Sequence, residues 1–288
     1  MTRAVAAPRS SRSGSTTAPS VSLADIKRTG SGLPNRYIIH GCEGSGKTSL
    51  AAFATANAKN PPVFIQTLGE TGLETLIDAG QLPEIPHFPE VQDWSGLLEA
   101  IQVLIDEDHD HPTLVIDTLN GAERLCHEFV CKRDFSGDWG ERGFGGYQRG
   151  YEVSLAEWRN LLNALDELRS KKRMAIVCLC HTKVSPFRNP EGADYDRYSP
   201  DMHHKTWSLS HKWSDAVFFL NFETFVDEKN PKKKGKATSN QTRWLYTTRH
   251  AAYDAKNRLG LPDEIEMGSS GKESWDNFVE ALKQARLT

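Results

Sequence analysis

The chain has 288 residues and a formal net charge of −3, from 35 Lys and Arg against 38 Asp and Glu. This length suits one large α/β domain with tails, and the near-neutral charge excludes a polycation, so any nucleic-acid surface has to be local. The five cysteines form no C-x-x-C pair, which favours a reducing compartment. Neither an apolar run of membrane-spanning length nor a leader with an apolar core is recognisable, so we expect a cytoplasmic protein without a membrane partner.

Residues 1–22 consist mainly of Ser, Thr, Ala, Pro and Arg and contain no acidic residue. A segment of this composition buries too little apolar surface to offset the entropy lost on ordering, so it predicts disorder. We therefore expect a disordered, weakly basic tail over residues 1–30 and one folded domain over residues 31–288. The tail is either an unstructured leader or an arm that touches DNA.

Apolar runs and helical spacing of apolar residues alternate along the rest of the chain. The β-branched and apolar runs predict strands at residues 36–40, 61–67, 113–118, 174–180, 216–226 and 243–249. Helical spacing predicts helices at residues 48–59, 94–106, 121–132, 272–287 and, as a long helix, around 155–168. The run MAIVCLC is apolar throughout, as is typical of a parallel strand covered on both faces. This order predicts an α/β fold with a mostly parallel sheet and helices on both faces.

The segment GCEGSGKT matches the phosphate-binding loop (P-loop) pattern G-x-x-x-x-G-K-[ST] in full, after a predicted strand and before a predicted helix. Its glycines let successive backbone N–H groups turn toward one anion, and the start of a helix favours phosphates. Lys47 is predicted to reach the β- and γ-phosphates of ATP, and the Thr48 hydroxyl to bind Mg²⁺. The predicted nucleotide-binding residues are Gly41, Cys42, Glu43, Gly44, Ser45, Gly46, Lys47, Thr48 and Ser49.

Asp117 ends the apolar run LVID, at the edge of the predicted sheet where ligands bind in such folds. Because Mg²⁺ prefers oxygen ligands and keeps several waters, Asp117 is the natural partner of Thr48 in a magnesium site, held through water. The alternative is that Asp117 caps the turn that follows it.

The residue after Asp117 is Thr118 rather than Glu, so a carboxylate that activates water has to come from elsewhere. Glu70, just past the second strand, is the best candidate, ahead of Glu43 and Glu74. It could instead be a solvated loop charge or an acid at a helix start. His181 follows the fourth strand and is predicted to sense the γ-phosphate, the alternative being a cap of the strand end.

Together these features resemble the RecA-like ATPase core, and more closely the phage-type ATP-binding proteins with that core, some of which are single-strand annealing recombinases. The resemblance covers residues 33–265. It rests on GCEGSGKT, an acidic site after FIQT, LVIDT, the Trp139-Gly140 and Tyr147 region, LCH, and AKNRLGLP at residues 255–262. Many NTPases share the first motif and LVIDT, whereas AKNRLGLP is more discriminating. The resemblance implies a RecA-like ATPase domain over residues 31–288, encoded by a phage or a bacterium.

The resemblance also implies that cations near the last strands reach the ATP site of a neighbouring subunit, as an arginine finger does. Lys256 and Arg258 match these positions. The implied partner is a second copy of the chain, with ATP at subunit interfaces, although the two cations could be solvated in a surface turn. One departure concerns residues 66–70, which read QTLGE where relatives often carry a D-T-E-G-G-like stretch. Either the acid has moved to Glu70, or hydrolysis is weak.

A long polar segment, residues 182–210, follows His181 and is predicted to be a structureless loop. Its rings and cations suit stacking on bases and contact with phosphates; they are Lys183, Phe187, Arg188, Tyr195, Arg197, Tyr198, Lys205 and Trp207. RecA-like proteins place a DNA-binding loop here, so the resemblance implies single-stranded DNA as a partner. Asp194, Asp196 and Asp201 in the same segment oppose the attraction of its cations for phosphates. The alternative is a mobile insertion with ordinary surface residues. Residues 229–236 and 143–147 are further candidate DNA contacts, or plain surface loops.

These expectations combine into an ATP-hydrolysing, RecA-like protein that binds single-stranded DNA, assembles with itself and acts in phage-type recombination or annealing. A single-strand-binding protein is a further candidate partner. Two alternatives stay open. A P-loop small-molecule kinase predicts a substrate pocket and lid arginines, and a non-hydrolysing DNA-binding scaffold predicts that ATP serves assembly only.

Overall fold

The computed structural model describes residues 26, 30, 32–54, 60–67, 69–223, 225–227, 236–238 and 242–287. Within these residues the strands, in chain order, are β1 (Arg36–Gly41), β2 (Val63–Gln66), β3 (Thr113–Asp117), β4 (Ala175–Phe187), β5 (Tyr195–Pro200), β6 (Ala216–Phe222), β7 (Phe225–Asp227), β8 (Lys236–Thr238), β9 (Arg243–Tyr246), β10 (Lys256–Asn257) and β11 (Glu264–Glu266). The helices are α1 (Lys47–Ala51), α2 (Gly72–Asp78), α3 (Trp94–Asp106), α4 (Leu119–Phe135), α5 (Arg149–Lys172), α6 (His204–Trp213) and α7 (Gly271–Leu287).

The main sheet has the strand order β11-β9-β6-β1-β4-β3-β2. Every neighbouring pair from β6 to β2 is parallel, whereas β9 and β11 extend the sheet with antiparallel pairs. β1 lies at the centre, between β4 and β6, so the loop that leaves it emerges at the carboxyl edge of the parallel strands. The prediction of a mostly parallel α/β sheet is confirmed.

Successive residues of a strand point to opposite faces of the sheet, and this alternation builds two separate cores. On one face Ile38 packs with α3 and α5, where the rings of Trp94 and Trp158 stack with centroids 6.1 Å apart. On the other face Ile39 packs in a cluster that includes Phe278 of α7. Helices therefore cover both faces of the sheet, as its apolar strands predict.

The prediction of a structureless loop over residues 182–210 is wrong. β4 runs on beyond the main sheet to Phe187 and pairs antiparallel with β5, from Thr182 opposite Pro200 to Phe187 opposite Tyr195, and α6 follows. This β4–β5 hairpin buries Arg197, a charged residue, on its inner side. Hydrophobic periodicity does not register a strand whose inward positions are polar, which explains the error.

Other boundaries differ less. The helix predicted at residues 48–59 is observed as α1, and residues 55–59 lie outside the described residues. The strand predicted at residues 216–226 is two strands, β6 and β7. The basic turn at residues 229–236 and the tail at residues 1–30 lie outside the described residues, apart from positions 236, 26 and 30. None of the helices that the structure describes is long and apolar enough to cross a membrane.

Candidate nucleotide-binding site

The loop between β1 and α1 holds the P-loop motif at the carboxyl edge of the sheet. Gly44 and Gly46 have φ angles of 73° and 92°, a left-handed conformation that glycine adopts without steric cost. Between them the Ser45 hydroxyl is buried and has no hydrogen-bond partner among the described residues. The loop therefore has the shape and an unpaired donor that a phosphate cradle requires, and the ATP predicted for it fits.

Lys47 places a positive charge inside this loop. Its Nζ atom donates hydrogen bonds to the carbonyl oxygens of Gly41 and Cys42, at 2.8 and 2.9 Å, and only 6% of the residue is exposed. Burial lowers the pKa of Lys47, and the nearby Asp117 carboxylate opposes that shift. An ammonium so placed is complementary to the triphosphate charge of ATP.

Thr48 and Asp117 form the pair of oxygen donors predicted for magnesium. The Thr48 hydroxyl donates a hydrogen bond of 2.9 Å to Oδ2 of Asp117, which is 3% exposed at the end of β3. Burial raises the pKa of Asp117 to about 6. A hydroxyl and a carboxylate are both hard oxygen ligands, so this pair fits Mg²⁺, which binds few protein groups and keeps waters.

Glu70 and His181, 111 residues apart in the sequence, meet at the same edge. Nε2 of His181 lies 2.9 Å from Oε1 of Glu70, and the Thr118 hydroxyl donates to the same oxygen at 3.1 Å. Because a carboxylate only accepts, Nε2 carries the proton. The hydrogen bond with His181 lowers the pKa of Glu70, and the same bond raises the pKa of His181. The two groups form a hydrogen-bonded pair, which is an ion pair when the His181 ring is protonated.

The other acidic candidates lie differently. Glu43 is exposed in the P-loop. Glu74, on α2, is also exposed and lies 3.5 Å from Nε2 of His87. Of the three carboxylates, only Glu70 hydrogen bonds to Thr118, which follows β3, and to His181, which lies within β4.

The sequence reasoning missed three residues at this edge, Thr67, Thr118 and Asn120. Thr118 caps α4 and hydrogen bonds to Glu70, while its N–H donates to the Thr67 hydroxyl at 3.0 Å. Asn120 accepts a hydrogen bond of 3.1 Å from the backbone N–H of His181, so it fixes the middle of β4 against α4. The available signal was that each follows a buried strand, where parallel strands bring polar residues together.

Arg243, at the start of β9, is a further cation beside the P-loop. Its guanidinium lies so close to Gly46 that a Cβ atom there would be 2.5 Å from Nη1. Nη2 donates to the carbonyl oxygen of Ser269 at 3.3 Å. Sequence reasoning missed Arg243 because no motif links the start of an edge strand to the P-loop.

Lys256 and Arg258 lie away from the P-loop of their own chain. β10 pairs with β6 at its amino end, where Lys256 is opposite Val217, whereas the P-loop leaves β1 at the level of Leu220. The Lys256 ammonium donates to the carbonyl oxygens of His211 and Ser214, the latter at 2.5 Å, and burial lowers its pKa to about 8. Arg258 is exposed.

The segment at residues 143–147 divides into one buried and one exposed ring. Phe144 is fully buried, with its centroid 4.8 Å from that of Trp139 and 5.0 Å from that of Tyr151. Phe144 therefore cannot stack on a base. Tyr147 is 99% exposed.

A protein-family model described as an AAA domain matches residues 33–259. A search of the curated proteins found no match. The matched region contains the P-loop, Glu70, Asp117 and His181, and it extends through Lys256. Since the match spans most of the chain, and the P-loop, its lysine and the Thr48–Asp117 pair lie together at one sheet edge, this chain belongs to the AAA domain family and carries an AAA-type P-loop NTPase domain.

Proposed function

We propose that this chain is a RecA-like ATPase whose hydrolysis of ATP is coupled to the binding of single-stranded DNA, in phage-type recombination or annealing. The observation that carries the proposal is the continuity of β4. The strand passes His181 at the predicted ATP site, enters the β4–β5 hairpin at the next residue, Thr182, and reaches the hairpin tip at Phe187. One rigid element thus joins a candidate nucleotide sensor to a candidate DNA surface.

The roles at the ATP site follow from the contacts described above. Lys47 and the P-loop amides bind the phosphates, and Thr48 with Asp117 would hold Mg²⁺, which supplies positive charge to the phosphate oxygens when bound. Among the described side chains, both hydrogen bonds to the Glu70 carboxylate end on Oε1. Oε2 is therefore available to accept from and orient the attacking water.

His181 suits the sensor role because of its second ring nitrogen. Nδ1 is buried and has no hydrogen-bond partner among the described residues, while Nε2 donates to Glu70. The hydrogen bond to Glu70 raises the pKa of His181, and in the protonated ring Nδ1 carries a second N–H that can donate to a phosphate oxygen.

The hairpin supplies both kinds of group that single strands require. Its tip carries the rings of Phe187 and Tyr195, with centroids 5.2 Å apart, and the exposed Arg188 lies next to them. Lys183 is ion-paired with Asp201 at 2.7 Å, so its charge is partly cancelled. We therefore expect binding in which stacking contributes more than net charge.

The proposal includes a homo-oligomer with ATP at subunit interfaces. Arg258 is exposed and lies at the far end of β6 from its own P-loop, a position that leaves it accessible to the ATP site of a neighbouring subunit. Lys256 is held by backbone carbonyls of its own chain, which makes Arg258 the better finger of the two. A single-strand-binding protein as a partner rests on the family resemblance alone, whereas the proposed cytoplasmic location rests on the cysteine pattern and on the amino-acid sequence having no apolar run of membrane-spanning length.

The test is ATP hydrolysis with and without single-stranded DNA. We expect stimulation in the wild type, loss of turnover in Lys47→Ala, and loss of stimulation but retained basal turnover in Arg188→Gln combined with Phe187→Ala. Turnover that ignores DNA rejects the coupling. ATP-dependent assembly without turnover supports the scaffold, and phosphate transfer to a small metabolite supports the kinase.

A separate experiment tests whether Arg258 acts on the ATP site of a neighbouring subunit. Lys47→Ala retains Arg258, and Arg258→Ala retains a complete P-loop, so mixing the two inactive variants should restore part of the activity. The exposed Arg249 provides a matched control, because Arg249→Ala should be active alone. If Arg258→Ala alone is fully active when assembled, the finger assignment is rejected.

A further inference from the structure

A cleft of about 670 Å³ lies beneath the β4–β5 hairpin, outside the P-loop site. The hairpin forms one wall, α4 and α5 contribute Glu123 and Tyr151, and the start of α6 contributes His203 and Trp207. Its volume is in the range of sites that bind small molecules. The family match and the ATP site leave this cleft without a role.

Arg197 of β5 is the central observation. It lines the cleft and is 8% exposed, yet neither Nε nor Nη2 has a hydrogen-bond acceptor among the described residues. The nearest carboxylate oxygen to Nη2, Oδ1 of Asp254, is 3.8 Å away, beyond hydrogen-bond distance. Buried guanidinium donors without acceptors are costly, so acceptors brought by a ligand would stabilise Nε and Nη2.

The neighbours of Arg197 are fixed by other contacts. Its guanidinium carbon lies 5.2 Å from the ring centroid of Phe187, a cation–π distance. Oδ2 of Asp254 accepts a hydrogen bond of 2.9 Å from the indole N–H of Trp207, while Oδ1 balances the charge of Arg197 from 3.8 Å without accepting a hydrogen bond from it. The unpaired donors are therefore a built feature of the packing.

A second orphan group lies at the start of α6. Nδ1 of His203 is buried and has no partner within the described part of the chain, while the ring stacks on Tyr151 with centroids 4.4 Å apart and an angle of 5°. The Glu123 carboxylate is buried and accepts a hydrogen bond of 3.0 Å from the backbone N–H of His203. This end of the cleft offers flat rings and both donors and acceptors.

The charges in the cleft limit the kind of ligand. Lys183 and Arg197 are balanced by Asp201 and Asp254, so the lining does not favour a bare polyanion. The lining instead fits a ligand with one anionic group for Arg197, a flat ring for the aromatic walls, and hydroxyl or amino donors for the carboxylates. A nucleotide has all three.

We propose that this cleft binds one nucleotide unit, with its phosphate on Arg197 and its base against the aromatic side chains of Phe187 and Trp207. The unit is either a free mononucleotide or one nucleotide of a single strand, since both present the same groups. In the second case the inference rests on the DNA binding proposed above and assigns its anchoring residue. In the first it adds a second nucleotide site to the chain.

The experiment is calorimetric titration with the P-loop saturated by a non-hydrolysable ATP analogue and Mg²⁺. The probes are thymidine 5′-monophosphate, a four-residue oligothymidylate and inorganic phosphate. We expect Arg197→Gln and Arg197→Lys each to weaken nucleotide binding about tenfold or more, since a charged hydrogen bond is lost in both. Arg159→Gln, which removes an exposed arginine outside the cleft, should bind like the wild type.

Binding of the monophosphate identifies a free nucleotide as sufficient, and binding of the oligonucleotide alone identifies a strand. The inference is overturned if neither binds the wild type, or if both Arg197 variants bind as well as the wild type. It is also overturned if phosphate alone matches the monophosphate, because the aromatic walls would then contribute nothing. Thermal unfolding and affinity for the ATP analogue establish that the variants are folded, and Arg197→Lys keeps the charge beside Asp254.

This titration is independent of hydrolysis. If the monophosphate binds through Arg197 but DNA fails to stimulate turnover, the cleft assignment stands and the proposed coupling fails. If DNA stimulates turnover equally in the wild type and in both Arg197 variants, and the titration finds no role for Arg197, the coupling stands and the cleft assignment fails.

Discussion

The P-loop edge and the hairpin cleft both contain buried charged side chains, but these side chains differ in their hydrogen-bond partners. At the P-loop edge the charged side chains hydrogen bond to groups of the chain itself: Lys47 to loop carbonyls, Asp117 to Thr48, and Glu70 to His181. In the cleft, Arg197 keeps two donors without an acceptor among the described residues. The edge thus holds Lys47, Asp117 and Glu70 in position without a ligand and leaves the Ser45 hydroxyl and Nδ1 of His181 without a partner in the described part of the chain, whereas in the cleft the guanidinium itself lacks acceptors there. Substitutions at the edge should therefore affect turnover, and substitutions in the cleft should affect recognition.

The largest effect that would sharpen this contrast is expected for Asp117→Asn. If Asp117 helps to hold Mg²⁺ as proposed, its loss removes about 3–4 kcal/mol of charge stabilisation, so ATP turnover should fall by about 10²–10³-fold. Binding of a nucleotide in the cleft should not change. The measurement is steady-state phosphate release over a range of Mg²⁺ concentrations, with Asp78→Asn, an exposed acid on α2, as the control. A variant with wild-type turnover at low Mg²⁺ would remove Asp117 from the site.

Glu70→Gln should show whether Glu70 orients the attacking water or contributes to ATP binding. If Glu70 orients water, turnover falls by about 10²-fold or more, while affinity for ATP stays close to that of the wild type. Glu74→Gln is the matched control, since Glu74 is exposed nearby on α2. Equal loss of turnover and of ATP affinity in Glu70→Gln would point to a structural role instead.

Arg243→Gln tests whether the ATP site includes Arg243, at the start of β9. A guanidinium beside Gly46 that contacts a phosphate contributes a charged hydrogen bond, so affinity for ATP should fall about tenfold. Measured by the same titration, thymidine monophosphate binding in the cleft should be unaffected. Arg249→Gln serves as the exposed control on the same part of the chain. An unchanged ATP affinity would confine the site to β1–β4.

The smallest expected effect concerns the pH dependence of stability. The pKa of Glu70 is below its usual 4.5, so its contribution is complete above pH 4.5 and is lost as the pH falls through the lowered pKa. The pKa of His181 is above its usual 6.5, so its contribution is complete below pH 6.5 and is lost as the pH rises through the raised pKa. The wild type should therefore exceed His181→Gln in free energy of unfolding by about 1 kcal/mol between these values, and by less on either side.

Urea denaturation at several pH values measures this difference. His203→Gln is a suitable control, because burial lowers the pKa of His203 rather than raising it, so the same window should not appear. A His181→Gln difference that is constant from pH 4 to pH 8 would mean that the two side chains do not form an ion pair.

The sequence was sufficient for what depends on apolar pattern and on a dedicated motif. GCEGSGKT and the buried strands LVID and MAIVCLC are of this kind, and the sheet they predict is observed. It was also enough to predict that residues after β2, β3 and β4 share one edge. It could not predict that Thr118 and His181 bond to the same oxygen of Glu70, because side-chain rotamers decide that contact.

The hairpin escaped prediction for a different reason. Its inward residue Arg197 is charged, and its outward residue Val184 is apolar and 60% exposed, which inverts the usual strand pattern. A strand with a charged residue on its inward side and an apolar residue on its outward side carries no hydrophobic signal. The same inversion that hid the hairpin is what makes its cleft a candidate site.

The length of β4 also has a mechanical consequence. The strand is continuous for 13 residues, of which those after His181 project from the sheet as part of the hairpin. At a rise of about 3.3 Å per residue, these six residues make a lever of about 20 Å, so a tilt of about 10° at its base would move the tip by about 3.5 Å. A small change in the direction of β4 at the ATP edge would therefore be magnified at the hairpin tip, where Phe187 and Tyr195 lie.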